Sequence, residues 1–297
     1  MDEIKRYLAE EVALDCSDGH ITRREALRRL ALLGVSSATA TLMLAGCRDD
    51  PPARQPAANG GGPGPSPAGN EEITFAGPAG RTLRGSWKAA ADPIGGVLVI
   101  HENRGLVDHT RSVVARFEDM RYNALAIDLL SEEGGTASLG DSANATAALS
   151  KVPPTRFVED MLAGIAEIER RTAGKKIGAI GFCFGGGMAW RLVASKDPRI
   201  AAVAPFYGSL PDGADFKGSN AAVLGVYAEL DSRVNASRDA AKAALEAAGL
   251  QHEIVTYPGA DHAFFNDTGP RYNANAATQA WTKVQEWFGK YVANGPT

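Results

Sequence analysis

From Glu71 onward, short apolar and β-branched runs alternate with longer stretches whose apolar positions recur every three to four residues. The first kind predicts strands near residues 73–75, 82–88, 97–101, 124–128, 176–181, 200–207, 221–229 and 252–257. The second predicts helices near 110–120, 155–172, 184–194, 236–248 and 274–291, with Gly249 as a stop for the fourth. Strands alternating with helices in this way specify an α/β fold, a doubly wound and mostly parallel sheet with helices on both faces. The first two strands lie too close together for a helical crossover and are expected to pair as a hairpin at the sheet edge. No repeat of fixed period interrupts this order.

The segment before Glu71 follows a different pattern. An acidic, amphipathic stretch leads to Thr22-Arg23-Arg24-Glu25-Ala26-Leu27, and a mostly apolar run then ends in Leu44-Ala45-Gly46-Cys47. Paired arginines ahead of a moderate apolar run resemble a twin-arginine export signal, and the ending resembles a lipobox. Residues 1–47 are therefore expected to be an export leader, with Cys47 as the lipidation site and the cell envelope or periplasm as destination. If Arg23 and Arg24 are instead ordinary helix charges, the apolar run is a buried or membrane-anchoring helix, and the chain is cytoplasmic where the signal reading fails. Residues 48–70 are rich in Pro and Gly and read as a tether, which leaves 71–295 as one catalytic domain.

Composition narrows the functional classes. A chain of 297 residues that is 44% hydrophobic can bury one large core, and a formal charge of −4 with Lys and Arg scattered along it excludes a nucleic-acid footprint. The three cysteines, Cys16, Cys47 and Cys183, have neither zinc-site spacing nor the density of a disulfide framework. No nucleotide fingerprint or metal cluster is visible, so neither a cofactor nor a metal is expected, and the oligomeric state is not encoded in any pattern seen here.

Candidate chemistry centres on Gly181-Phe182-Cys183-Phe184-Gly185-Gly186. The run from Lys176 to Gly181 reads as a strand and the residues from Phe184 as a helix, which places Cys183 on a tight strand-to-helix turn. Such a turn needs small residues on either side, and the helix behind it aims free N–H groups at the sulfur. An acid and a histidine are required later in the chain, on loops after successive strands. Asp231 follows the strand containing Val223–Ala228, and His262 follows the strand near Ile254–Tyr257. His20, His109 and His252 do not have this placement. His262 is thus expected to activate Cys183 and to protonate the leaving group, with Asp231 fixing the imidazole tautomer.

These residues, together with Val99-Ile100-His101-Glu102-Asn103-Arg104-Gly105-Leu106 and Asp261-His262-Ala263-Phe264, resemble the dienelactone hydrolase (carboxymethylenebutenolidase) family from about Glu71 to Val292. The resemblance implies an α/β-hydrolase fold and a small-molecule ester or lactone substrate. It implies that Glu102 contacts and helps to activate the cysteine, and that the backbone N–H groups of Phe184 and Asn103 form the oxyanion hole. The family holds its substrate's carboxylate with two arginines, but the corresponding regions here, residues 126–135 and Phe264-Phe265-Asn266-Asp267, contain none. Arg271, Arg104 and Arg111 are candidates to replace them. Phe182, Phe184, Phe206, Tyr207, Phe264 and Phe265 suggest an apolar pocket, or else core packing. A broader exported esterase or thioesterase, or a non-catalytic lipoprotein that binds through the same fold, are the competing readings.

Overall fold

The computed structural model describes residues 1–47 and 69–293. The expected tether therefore lies outside the described residues, apart from its last two positions. Eight strands form one sheet: β1 (Glu71–Ala76), β2 (Thr82–Lys88), β3 (Gly95–Ile100), β4 (Tyr122–Asp128), β5 (Ile177–Phe182), β6 (Ile200–Phe206), β7 (Ala222–Ala228) and β8 (His252–Tyr257). Their spatial order is β1-β2-β4-β3-β5-β6-β7-β8. β1 and β2 pair antiparallel as the expected edge hairpin, β2 pairs antiparallel with β4, and every later pairing is parallel.

The residue pattern accounts for this placement. In β1 only Ile73 and Phe75 are buried, the period-two alternation of an edge strand with one wet face. β3, β4, β5 and β7 are buried along their whole length, which explains their unbroken apolar runs.

Ten helices accompany the sheet among the described residues: α1 (Glu3–Ser17), α2 (Arg23–Leu32), α3 (Ser37–Met43), α4 (Asp108–Asp119), α5 (Ser142–Leu149), α6 (Pro154–Arg171), α7 (Phe184–Ser195), α8 (Ser232–Asn235), α9 (Arg238–Ala247) and α10 (Ala274–Phe288). Both faces of the sheet are covered. A Cβ added to Gly95 would meet Val292, just past α10, at 2.7 Å, and one added to Gly96 would meet Ile168 of α6 at 2.3 Å. Neighbouring residues of a strand point to opposite faces, so α6 and the end of α10 lie on opposite sides.

The N-terminal segment, expected as a leader, is folded in this structure as in the alternative reading of a buried helix. α1, α2 and α3 pack against the domain, with Leu8, Leu30 and Leu44 fully buried. Arg23 of the arginine pair donates from Nη1 to the Leu44 carbonyl at 2.6 Å, while Arg24 is exposed. Cys47, expected to carry a lipid, is joined to Cys16 in a disulfide. A sulfur held in a disulfide is not available for acylation in this arrangement. No helix among the described residues is long and apolar enough to cross a membrane.

Candidate active site

Cys183 sits between the end of β5 and the first residue of α7 with φ 56° and ψ −117°. A side-chain-bearing residue rarely adopts this backbone, and it persists only where its surroundings enforce it. Here the flanking glycines allow the chain to close up. A Cβ on Gly181 would lie 2.0 Å from the Gly185 carbonyl oxygen, and one on Gly185 would lie 2.5 Å from the carbonyl oxygens of both Ile100 and His101. The Cys183 N–H donates to the Phe206 carbonyl at 3.1 Å, and its carbonyl accepts from Gly186 N at 2.9 Å. These contacts fix the turn between two neighbouring strand ends.

Asp231 lies beyond β7 and caps α8, with Oδ1 accepting the Val234 N–H at 3.1 Å. That bond leaves Oδ2 to meet His262 Nδ1 at 2.5 Å. His262, on the turn after β8, donates its own backbone N–H to Asp261 at 2.6 Å. Both side chains are buried, so the pair is shielded from water and its attraction is strengthened. His262, Cys183 and Glu11 each bring a ligand atom within 4.8 Å of the other two. The structure thus gathers Cys183, Asp231 and His262 at the ends of β5, β7 and β8, where parallel sheets build their sites.

Glu102 is buried in the same cluster, but its hydrogen bonds go elsewhere. Oε2 accepts from Asn266 Nδ2 at 2.7 Å and Oε1 from the Tyr207 hydroxyl at 3.5 Å. Tyr207 is itself at φ 35°, and its ring packs edge-on to His262 at 5.2 Å. Asn266 and Tyr207 therefore hold Glu102 in place, a role that the sequence assigned to neither of them. The Phe184 N–H is the first of α7 and has no acceptor within that helix, as an oxyanion donor requires. The Asn103 carbonyl accepts from the Thr146 hydroxyl at 2.9 Å, which ties its loop to α5.

Two expectations about the substrate pocket change. Phe182, Phe206, Tyr207, Phe264 and Phe265 form a fully buried, mutually packed ring cluster, so they are core. Phe184 of that set lines a cavity, together with Ile4, Tyr7 and Met188. Among the arginines proposed as carboxylate holders, Arg271 is paired with Asp15 and Asp18, and Arg111 with Glu72. Arg104 borders two recesses, one with Thr136 and one with Asn103.

The residues nearest the reacting atoms include two missed from the sequence, Tyr7 and Glu11. The Tyr7 hydroxyl of α1 is 3.4 Å from Cys183 Sγ. Glu11, also on α1, lies with one oxygen 3.1 Å from His262 Nε2 and pairs through the other with Arg233. The spacing of Glu3, Tyr7, Glu11 and Asp15, each four positions apart, was the available signal, since it puts them on one face of a helix.

Electrostatics follow from this crowding. Burial raises the Cys183 thiol pKa, and the Glu11 carboxylate raises it further, against the lowering effect of His262. For His262 burial disfavours charge, yet Glu11 and Asp231 outweigh it and hold the imidazole pKa well above 6.5. Burial pushes Asp231 upward, but its histidine partner prevails and its pKa is lowered. The arrangement as it stands favours a neutral thiol beside a charged imidazolium.

A strained cysteine at a strand-to-helix turn, with a carboxylate-bound histidine on a later loop, defines the class of α/β hydrolases. The comparisons specify the family. The family model of the dienelactone hydrolase family matches residues 83–292, and the chain belongs to that family of carboxylic-ester and lactone hydrolases. It is similar to a predicted carboxymethylenebutenolidase of Methylorubrum extorquens, 32% identical over 222 residues that cover 68% of this chain and 74% of the relative. A predicted carboxymethylenebutenolidase of Escherichia coli is 32% identical over 218 residues, covering 69% of this chain and 80% of the relative. Among solved structures, a predicted dienelactone hydrolase from Klebsiella pneumoniae superposes with a TM-score of 0.65 at 26% identity, covering 75% of this chain and 100% of the other.

Proposed function

We propose that this hydrolase works by covalent catalysis on Cys183, with His262 as acid–base and Asp231 as its orienting partner. The observation that carries the reading is the 2.5 Å contact of His262 Nδ1 with Asp231 Oδ2 beside a cysteine held at φ 56°. The Nδ1 contact fixes the tautomer, so Nε2 is the nitrogen that faces the substrate side. In the first step the thiol proton passes to His262 Nε2 as sulfur attacks the ester carbonyl. The N–H groups of Phe184 and Asn103 hold the resulting oxyanion, a contribution of about 3 kcal/mol per donor. Collapse expels the alkoxide, which takes the proton from His262. Water, deprotonated by His262, then releases the acid and restores the thiol.

Glu102, anchored by Asn266 and Tyr207, places a negative charge near the sulfur that raises the thiol pKa and keeps the resting cysteine protonated until His262 takes the proton. Neither arginine-free region gains a carboxylate holder in the structure, so simple aryl esters and lactones are better first substrates than dienelactone itself. In a panel of such compounds His262→Ala is expected to lower kcat/KM by about 10³-fold or more, with KM changing little. Turnover unaffected by that change, or no turnover of any member by the native chain or by variants in which the N-terminal helix is loosened, would sink the reading.

The same proposal includes export through the twin-arginine segment, with that segment retained. The Cys16–Cys47 disulfide supports an oxidising compartment, since such bonds are rare where thiols are kept reduced. Thiol titration of protein recovered from the cell envelope is expected to find only Cys183 reactive after unfolding, with no radiolabelled palmitate incorporated. A cytosolic protein with three titratable thiols would contradict it.

A further inference from the structure

The cleft over Cys183 is occupied by the chain's own α1, and the occupation is specific. Among the described residues, contacts run along the whole helix. Glu3 pairs with Arg191 at 2.6 Å and Arg6 with Asp212 at 3.0 Å at one end, and Asp15 and Asp18 pair with Arg271 at 2.9 and 2.8 Å at the other. Between these clamps Tyr7 touches the nucleophile and Glu11 touches His262 and Arg233. Ile4 and Tyr7 line one recess together with Phe184 and Met188 of α7, and Glu11 and Val12 line another with Asn103 and Thr146.

We propose that the catalytic cleft is also a docking site for α1, which binds it as an intramolecular plug and keeps the enzyme closed until the helix moves out. This rests on the hydrolase reading of Cys183 and His262, and it adds a control that the reading does not require.

Three features argue for a plug over a helix that completes the site. Glu11 lies 3.1 Å from Nε2, the nitrogen that must receive the thiol proton, so in this state the base already faces a carboxylate. Tyr7 stands 3.4 Å from Sγ, on ground that a substrate carbonyl must cross to be attacked. The charges on His262 and Cys183 point the same way: an imidazolium holds no lone pair with which to take a proton, and a thiol is not the attacking form. Withdrawal of α1 removes the Glu11 charge from both groups at once.

The ion pairs at the ends of α1 offer a way to loosen it without touching the reacting groups. Glu3 and Asp15 contact Arg191 and Arg271, not the catalytic residues, so a Glu3→Lys/Asp15→Lys double variant weakens docking by like-charge repulsion at both clamps. Tyr7→Phe and Glu11→Gln loosen it from the middle. Activity scales with the open fraction, so each change in the closed population is read directly in the rate.

The test uses full-length protein without reductant, in which Cys183 is the free cysteine among the described residues. Iodoacetamide alkylation of Cys183, followed by peptide mass spectrometry, and kcat/KM for an aryl ester are measured in parallel, with circular dichroism confirming that each variant is folded. The double variant and Glu11→Gln are expected to raise both rates about tenfold or more, and salt is expected to raise the native rates in the same direction. Unchanged alkylation and turnover in folded variants would overturn the docking proposal and leave the hydrolase reading intact. A fall in turnover in every folded variant would also overturn it, since α1 would then be part of the catalytic apparatus. Faster alkylation with no ester turnover in any protein would uphold docking and defeat the hydrolase reading instead.

Discussion

Cys183→Ala is expected to lower kcat/KM for aryl esters by about 10⁴-fold or more while leaving the melting temperature within a few degrees of the native value. The loss follows from removing the atom that forms the covalent intermediate, after which only the oxyanion donors and general binding remain. Stability is largely spared, because alanine keeps the Cβ that the turn already accommodates, and the sulfur gives up polar contacts with Tyr7 and His262 but little packing. Cys183→Ser is the sharper probe, since it retains a hydroxyl of similar shape and tests whether the site is tuned to a thiol. With an unperturbed alcohol far harder to deprotonate, activity is expected well below native. Ester hydrolysis by Cys183→Ala at a tenth of the native rate would place the chemistry on another residue.

Gly181→Ala is expected to produce the largest loss of stability, about 4 kcal/mol or more, or no soluble protein at all. The added Cβ would stand 2.0 Å from the Gly185 carbonyl oxygen, a backbone atom that cannot yield without moving α7 away from β5. Gly187→Ala, three residues into the same helix, is the control. Its nearest new contact is an ordinary 3.6 Å to the Ser209 carbonyl, and alanine's helix propensity should make the protein about 1 kcal/mol more stable. Urea denaturation of both variants checks the pair. Equal stabilities would show that the turn is not held by close backbone approach.

The eight strands were readable because parallel central strands are continuous apolar runs and the edge hairpin alternates, and both patterns are local. The order of Cys183, Asp231 and His262 was readable for a similar reason: each follows a strand end, and glycines mark the turn at the first. Glu102 was placed in the cluster, but its partners were not, since Asn266 and Tyr207 come from loops more than a hundred positions away along the chain. The N-terminal segment is less legible. Its arginine pair and apolar run match an address, whereas the evidence that it folds onto the domain lies in the pairing of Glu3, Glu11 and Asp15 with Arg191, Arg233 and Arg271. Nothing local in either set of residues announces the other. A disulfide between Cys16 and Cys47 was hidden in the same way, because two cysteines with no further pattern do not specify their own proximity.

The central claim is that hydrolysis passes through an acyl group on Cys183. Mixing the native chain with an activated aryl ester, quenching in acid within the first turnovers, and mapping the peptides by mass tests it most directly. The expected result is the acyl mass on the peptide containing Cys183, absent in Cys183→Ala and persisting in His262→Ala once it forms. Steady release of product with no acyl mass on that peptide, or with the mass on another residue, would contradict it.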